Sequence, residues 1–146
     1  MENGVSSKDF LALCEAFDRR GAAALHISGG LLGGPAVSFS PAIEENPQKG
    51  FFEDAAHAVA KRVKHASIIS VGGYRTPAMI ERTLAEGDIS LVSLGRPLTS
   101  EPDLVSRWAH GDRCKARCIS CNRCFGSKNI ITCVAFAETM KKGEAE

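Results

Sequence analysis

Two groups of residues in this 146-residue chain have types and spacings that could do chemistry. The first is a pair of turns, Gly72-Gly73 and Gly95-Arg96, each ending an apolar run. Glycine at the end of a strand lets backbone N–H groups approach a ligand with no Cβ in the way. Two such turns side by side make a concave nest of donors that attracts anions. Arg96 adds a planar fork that can hold a phosphate through two hydrogen bonds. The combination points to phosphate binding by Gly72, Gly73, Gly95 and Arg96, in preference to tight turns whose arginine merely pairs with an acidic neighbour.

The second group is a run of cysteines, Cys114-x3-Cys118-x2-Cys121-x2-Cys124-x8-Cys133. The segment CISCNRC has iron–sulfur spacing, and Cys133 offers a fourth thiolate. Four thiolates also suit zinc. The preferred reading is a set of reduced, partly buried thiols packed on the rest of the chain, because cysteine is among the most buried residue types. Five of six cysteines in the last third make a cluster, which does not suit a disulfide framework spread along a small fold. Other residues receive plainer expectations. His26, inside an apolar strand, suits a hydrogen-bonded core histidine. Tyr74 and Arg75 fit a pocket wall or a solvent-facing turn equally. His57 and His65 suggest nothing catalytic. No G-x-S-x-G, Walker A or H-E-x-x-H is present, and no residue is assigned a catalytic or metal-binding role.

These groups must be positioned by regular elements. Ser6 or Ser7 suits a helix cap with Asp9 in the first turn, and Phe10, Leu13, Cys14 and Phe17 recur at helical spacing up to Gly21. Ala22 to Ile27 reads as a buried strand, followed by Ser28-Gly29-Gly30 and a long loop from Leu31 to Lys49. A helix follows with Phe52, Ala55, Ala56, Val59, Ala60 and Val63 on one face and Glu53, Lys61 and Lys64 off it. Ser67 to Val71 is the second strand. Thr76 and Pro77 open a helix in which Ile80 and Leu84 face inward until Gly87. Ile89 to Leu94 is the third strand, and Glu101 to His110 a last helix with Leu104, Val105 and Trp108 as its apolar side. Strand and helix alternation predicts parallel strands with right-handed crossovers. The strands are apolar throughout, as strands covered on both faces are. Each ends in Gly followed by Gly or Arg, so all three turns belong on one edge of the sheet, where ligand sites form.

Composition narrows the classes. With 44% hydrophobic and 24% charged residues the chain is neither a disordered tail nor a coiled coil. A net charge of +1 gives no electrostatic reason to expect nucleic acid or an anionic membrane. The start MENGVSSKDF lacks the basic and apolar regions of a targeting signal, and a cytoplasmic protein is expected. A complete (β/α)8 barrel needs ~250 residues.

The run ISVGGYRTPAMIERTLAEGDISLVSLGRPLTSEPDLVSRWAHGD, followed by CISCNRCF, resembles the C-terminal half of the old yellow enzyme family of NADH:flavin oxidoreductases. The upstream FLALCEAFDRRGAAALHISGG is similar to that family's fifth helix and sixth strand. The resemblance covers roughly Ser7 to Cys133. It implies an α/β fold, a partial (β/α)8 TIM barrel of strands 6–8 over residues 1–112, with a Cys-rich segment over 113–146. It implies an FMN-dependent oxidoreductase that takes hydride from NAD(P)H and passes it to an activated alkene. Gly72 and Gly73 would be the phosphate turn after strand seven, and Gly95 and Arg96 the turn after strand eight. The groups that bind substrate and donate the proton lie on the family's first five strands, so a fragment without activity of its own is expected. Its partner would be a second copy or a complementary N-terminal half. The branch with a 4Fe–4S cluster has wider gaps around its last two cysteines than x2 and x8. Two alternatives stay open: an iron–sulfur or zinc electron-transfer module on the cysteine tail, and another phosphate-binding barrel enzyme.

Overall fold

The computed structural model describes residues 4–29, 49–125 and 131–136. Helix α1 spans Ser7–Arg19, and Ser6 caps it by accepting from the Asp9 N–H. Gly21 then turns the chain at φ +86° into strand β1, Ala24–Ile27. Helix α2 covers Glu53–Ala60, β2 Ser67–Val71, α3 Pro77–Ala85 and β3 Leu91–Ser93. Thr76 caps α3 from the Met79 N–H, with Pro77 at its first position where no donor is lost. Two short helices, α4 at Arg96–Ser100 and α5 at Leu104–Ala109, precede a 3-10 turn at Arg123–Phe125.

The three strands form one parallel sheet in the order β1-β2-β3. Ala24 pairs with Ser67 and Ile27 with Ser70, while Ile69 pairs with Leu91 and Val71 with Ser93. Cys14 of α1, Ala56 and Val59 of α2, Ile27 and Ile68 of the sheet, and Ile89 form the core. Phe10, Leu11, Phe52 and Val63 pack around it.

Several expectations are corrected. The strands are not covered on both faces: Ala24 and His26 of β1 are exposed, and Leu91 of β3 is 54% exposed. Among the described residues only one face meets helices, so His26 is no core histidine. On α1 the buried stripe runs through Cys14 and Asp18, while Leu13 and Phe17 point outward. On α3 Met79 and Thr83 are buried in place of Leu84. The third strand is shorter than Ile89 to Leu94, although Ile89 itself is in the core. The helix expected over Glu101 to His110 is confined to α5, where Leu104 is buried and Val105 exposed, and α4 was not anticipated. The loop expected over Leu31 to Lys49 lies outside the described residues except for Lys49, as does Gly30.

Asp18 binds α1 to the turn before β2. Its carboxylate accepts from the backbone N–H groups of Lys64, His65 and Ala66 at 2.9, 2.9 and 2.7 Å. The Lys64 bond leads in holding the Asp18 carboxyl below its ordinary value, and together with the Ala66 and His65 bonds it outweighs the opposing effect of burial. A carboxyl whose folded pKa is depressed contributes stability above its unfolded value and loses it as pH falls through the folded one. Asp18→Ala should therefore lower the urea midpoint at pH 7, by a margin that stays constant down to the ordinary aspartate value of ~3.9 and narrows below it. Urea titrations between pH 7 and pH 3 would check this.

Candidate functional site

Because the strands are parallel, their C-terminal ends share one edge, and a cavity of about 190 Å³ opens there. Ser28 and Gly29 line it after β1, Gly72 to Arg75 after β2, and Leu94 to Pro97 after β3, with Phe52 and Ser120 closing the sides. The structure thus brings Gly72, Gly73, Gly95 and Arg96 together, as their spacing predicts. Gly72 and Gly73 have φ of +94° and +85°, a region that side chains disfavour. A Cβ on either would also crowd Phe51, 3.2 to 3.3 Å away. Phe51 is held by its N–H, which donates to the Gly72 carbonyl at 2.9 Å. At Gly95 an added Cβ would meet no atom within 4 Å, so its free side faces the open cavity.

Two guanidinium groups converge on this cavity. Arg75 donates to the Ser120 hydroxyl and Arg96 to the Asn122 side-chain oxygen, both partly buried. Among the described residues neither arginine forms an ion pair, although seven other lysine or arginine side chains do. Burial pushes the Arg75 guanidinium below its ordinary value, and the charge of Arg96 works in the same direction. Two like charges held together and partly out of water are costly unless an anion joins them. The acidic neighbour that would have accounted for Arg96 as a structural residue is not found among the described residues.

The turn that carries Arg75 is anchored from below. Tyr74 is 1% exposed, and its hydroxyl lies 2.9 Å from Ser70 Oγ and 3.2 Å from Glu53 Oε2. Tyr74 thus belongs to a wall and not to a solvent-facing turn. Glu53, expected off the apolar face of its helix, is 1% exposed. It accepts from the Gly50 N–H at 2.8 Å, from Thr83 Oγ1 at 3.1 Å and from Arg82 at 2.8 Å. Burial opposes ionisation of Glu53, but the Gly50 N–H and Arg82 outweigh it and hold the carboxyl below its ordinary range. Burial, with the Glu53 charge adding to it, pushes the Tyr74 phenol up.

The cysteine segment forms the neighbouring wall. Cys118, Cys121, Cys124 and Cys133 line one cavity of about 410 Å³, and Arg96 and Ser120 line both cavities. Cys118 and Cys124 are buried, Cys133 is partly so and Cys121 is exposed, a mixture of the kind expected for thiols packed on the chain. Burial raises the Cys124 thiol above its ordinary value. Among the described residues one set of three potential metal ligands, Glu53, His57 and Glu86, has its donor atoms within 4.8 Å of one another. Arg82 already lies against both carboxylates and supplies the cation there.

The sequence pattern of the NADH:flavin oxidoreductase / NADH oxidase family matches residues 37–114, just over half of the chain. The chain belongs to this family. It is 26% identical to an NADH oxidase of Thermoanaerobacter brockii over 130 residues, which are 88% of this chain and 19% of that protein. It is 29% identical to the NADH-dependent flavin oxidoreductase iliE of Neonectria sp. (strain DH2) over 110 residues, 70% of this chain and 14% of that protein. A metal reductase of Desulforamulus reducens is 26% identical over 136 residues, 90% of this chain and 20% of that protein. The chain spans about a fifth or less of the length of these relatives. The family match includes both glycine turns, Arg75 and Arg96, and ends before Ser120 and Asn122.

Ser120, Asn122 and Glu53 were not singled out by sequence. The signal for Asn122 was present in its tolerance of left-handed backbone, which a turn between cysteines invites. Glu53 sits at the start of a helix, where a carboxylate is ordinary, and nothing local marks it as buried. Glu53→Ala should strip the Gly50 N–H of its acceptor and Arg82 of its buried partner, while the Tyr74 and Thr83 hydroxyls keep Ser70 Oγ and the Met79 carbonyl. The cost should be about 1–3 kcal/mol. Chemical denaturation of the variant beside wild type would measure it.

Proposed function

We propose that these residues hold the phosphate end of FMN in a cytoplasmic, NAD(P)H-dependent oxidoreductase of the ene-reductase kind, as part of a (β/α)8 barrel whose strands 6–8 are β1 to β3. The observation that carries the reading is Arg75 and Arg96, two partly buried cations at the edge of a glycine-turn cavity, with no ion-pair partner among the described residues. A phosphate monoester carries about −1.5 to −2 charges at pH 7, which balances two guanidinium groups. At about 190 Å³ the cavity is below the ~300–1,000 Å³ of pockets for whole drug-sized ligands and suits the phosphate end of a cofactor.

In this reading Gly72, Gly73 and Gly95 present backbone N–H groups to the phosphate, and Arg96 and Arg75 neutralise it. Tyr74, pinned by Ser70 and Glu53, keeps the turn after β2 from shifting. Bound FMN supplies the hydride chemistry. The chain's own contribution is to fix one end of the cofactor so that its reactive end is presented in one orientation.

Arg96→Ala should weaken FMN binding by roughly 10- to 100-fold, the loss expected for a charge-assisted hydrogen bond. Riboflavin, which lacks the phosphate, should bind the variant and the wild type equally. Fluorescence titration with both flavins tests the reading, and a wild-type chain that takes up riboflavin as well as FMN would overturn it.

The outer edges of β1 and β3 are unpaired among the described residues, and unpaired edges recruit further strands. In the same reading the 146 residues alone self-associate or join a complementary half carrying the first five strands, and do not reduce alkenes. Sedimentation at rising concentration, with an enone and NADPH assay alongside, would check both; a stable monomer with turnover contradicts them.

A further inference from the structure

Resting on the phosphate reading, we infer that Ser120 and Asn122 of the cysteine segment are positioning residues for it: neutral acceptors that aim Arg75 and Arg96 into the cavity without spending their charge. Among the described residues they are the two non-glycine residues at positive φ, +54° and +58°. A left-handed conformation costs a residue with a Cβ roughly 1–2 kcal/mol unless its surroundings impose it, and such residues cluster at functional sites. Here the two residues so placed are the two that reach the arginines lining the cavity, Ser120 to Arg75 and Asn122 to Arg96.

The chain is pinned at two points as it enters this segment. The Ala116 N–H donates to the Arg75 carbonyl at 2.8 Å, so the chain enters the loop already tied to the turn after β2. Glu101, 3% exposed, accepts from the Arg117 N–H and from Arg107, which fixes the approach to Cys118. Ser120 itself is 3% exposed. A flexible arginine loses conformational entropy on binding an anion, and a partner that holds it beforehand removes part of that cost.

The chemistry of the two acceptors matters as much as their position. A carboxylate at either place would hold an arginine at least as firmly, but it would neutralise it and repel a phosphate. A hydroxyl and an amide oxygen orient a guanidinium and leave its charge for the ligand. The two cavities meet at Arg96 and Ser120, so the cysteine segment contributes to the phosphate site as its second wall.

The experiment separates aiming from simple support of the fold. Asn122→Gly keeps the left-handed backbone without strain and deletes only the amide; Asn122→Asp keeps shape and acceptor and adds a charge. In the full chain, Asn122→Gly should bind FMN roughly tenfold more weakly, and Asn122→Asp roughly tenfold more weakly again. Thermal melting should show Asn122→Asp at least as stable as Asn122→Gly, the reverse of the affinity order. Ser120→Gly should behave as Asn122→Gly does. Affinity that follows melting temperature, or FMN preference over riboflavin intact in both Asn122 variants, overturns the inference and leaves the phosphate reading standing. Wild-type chain with no preference for FMN over riboflavin overturns both.

Discussion

Parallel pairing of three strands is the constraint on which everything else in this chain rests. With Ala24 opposite Ser67 and Ile69 opposite Leu91, all strands run the same way and every C-terminal end meets the same edge. Three turns separated by tens of residues in sequence then become neighbours. One turn alone offers a few N–H groups. Three together, with an arginine from each of two of them, enclose a cavity. Parallel strands need long crossovers, and α2 and α3 supply those while covering one face of the sheet.

Buried carboxylates hold this arrangement, and they divide sharply from the cations at the cavity. Asp18 accepts three backbone N–H groups, Glu53 gathers Gly50, Thr83 and Arg82, and Glu101 binds Arg107 and Arg117. Each acid is satisfied by donors that the fold brings to it, so burial does not cost a lone charge. Arg75 and Arg96 are the converse. They are held by neutral oxygens, and their positive charge is balanced by no acidic side chain among the described residues. The fold thus pairs its buried acids with donors and leaves two adjacent arginines at a glycine-lined edge on neutral partners.

The cysteine segment touches this edge in a way that does not depend on what its thiols do. Its loop passes beside the edge of the sheet, and two residues between the cysteines touch the arginines. Family membership covers residues 37–114 and so brings in the glycine turns and both arginines. The wall from Ser120 to Asn122 is known from the geometry alone.

Much of this was legible from residue order. The strand at Ser67–Val71, the Ser6 and Thr76 caps, the stops at Gly21 and Gly87 and the glycine-ended strands follow from local rules: capping, backbone freedom at glycine and apolar periodicity act within a few residues. Phosphate-binding chemistry at Gly72, Gly73, Gly95 and Arg96 could be argued on the same terms. What sequence could not assign was burial that depends on partners far along the chain. Glu53 looked like a surface acid because its partners Tyr74 and Thr83 lie 21 and 30 residues away. Leu91 and His26 looked like core because apolar runs do not say whether a second layer covers them. Residue order therefore determined most of the elements and the glycine turns that follow the strands, since those are short-range effects. Only the tertiary structure decided that Arg75 joins Arg96, and that Ser120 and Asn122 hold them, because contacts across 45 and 26 residues exist only once the sheet has brought the turns to one edge.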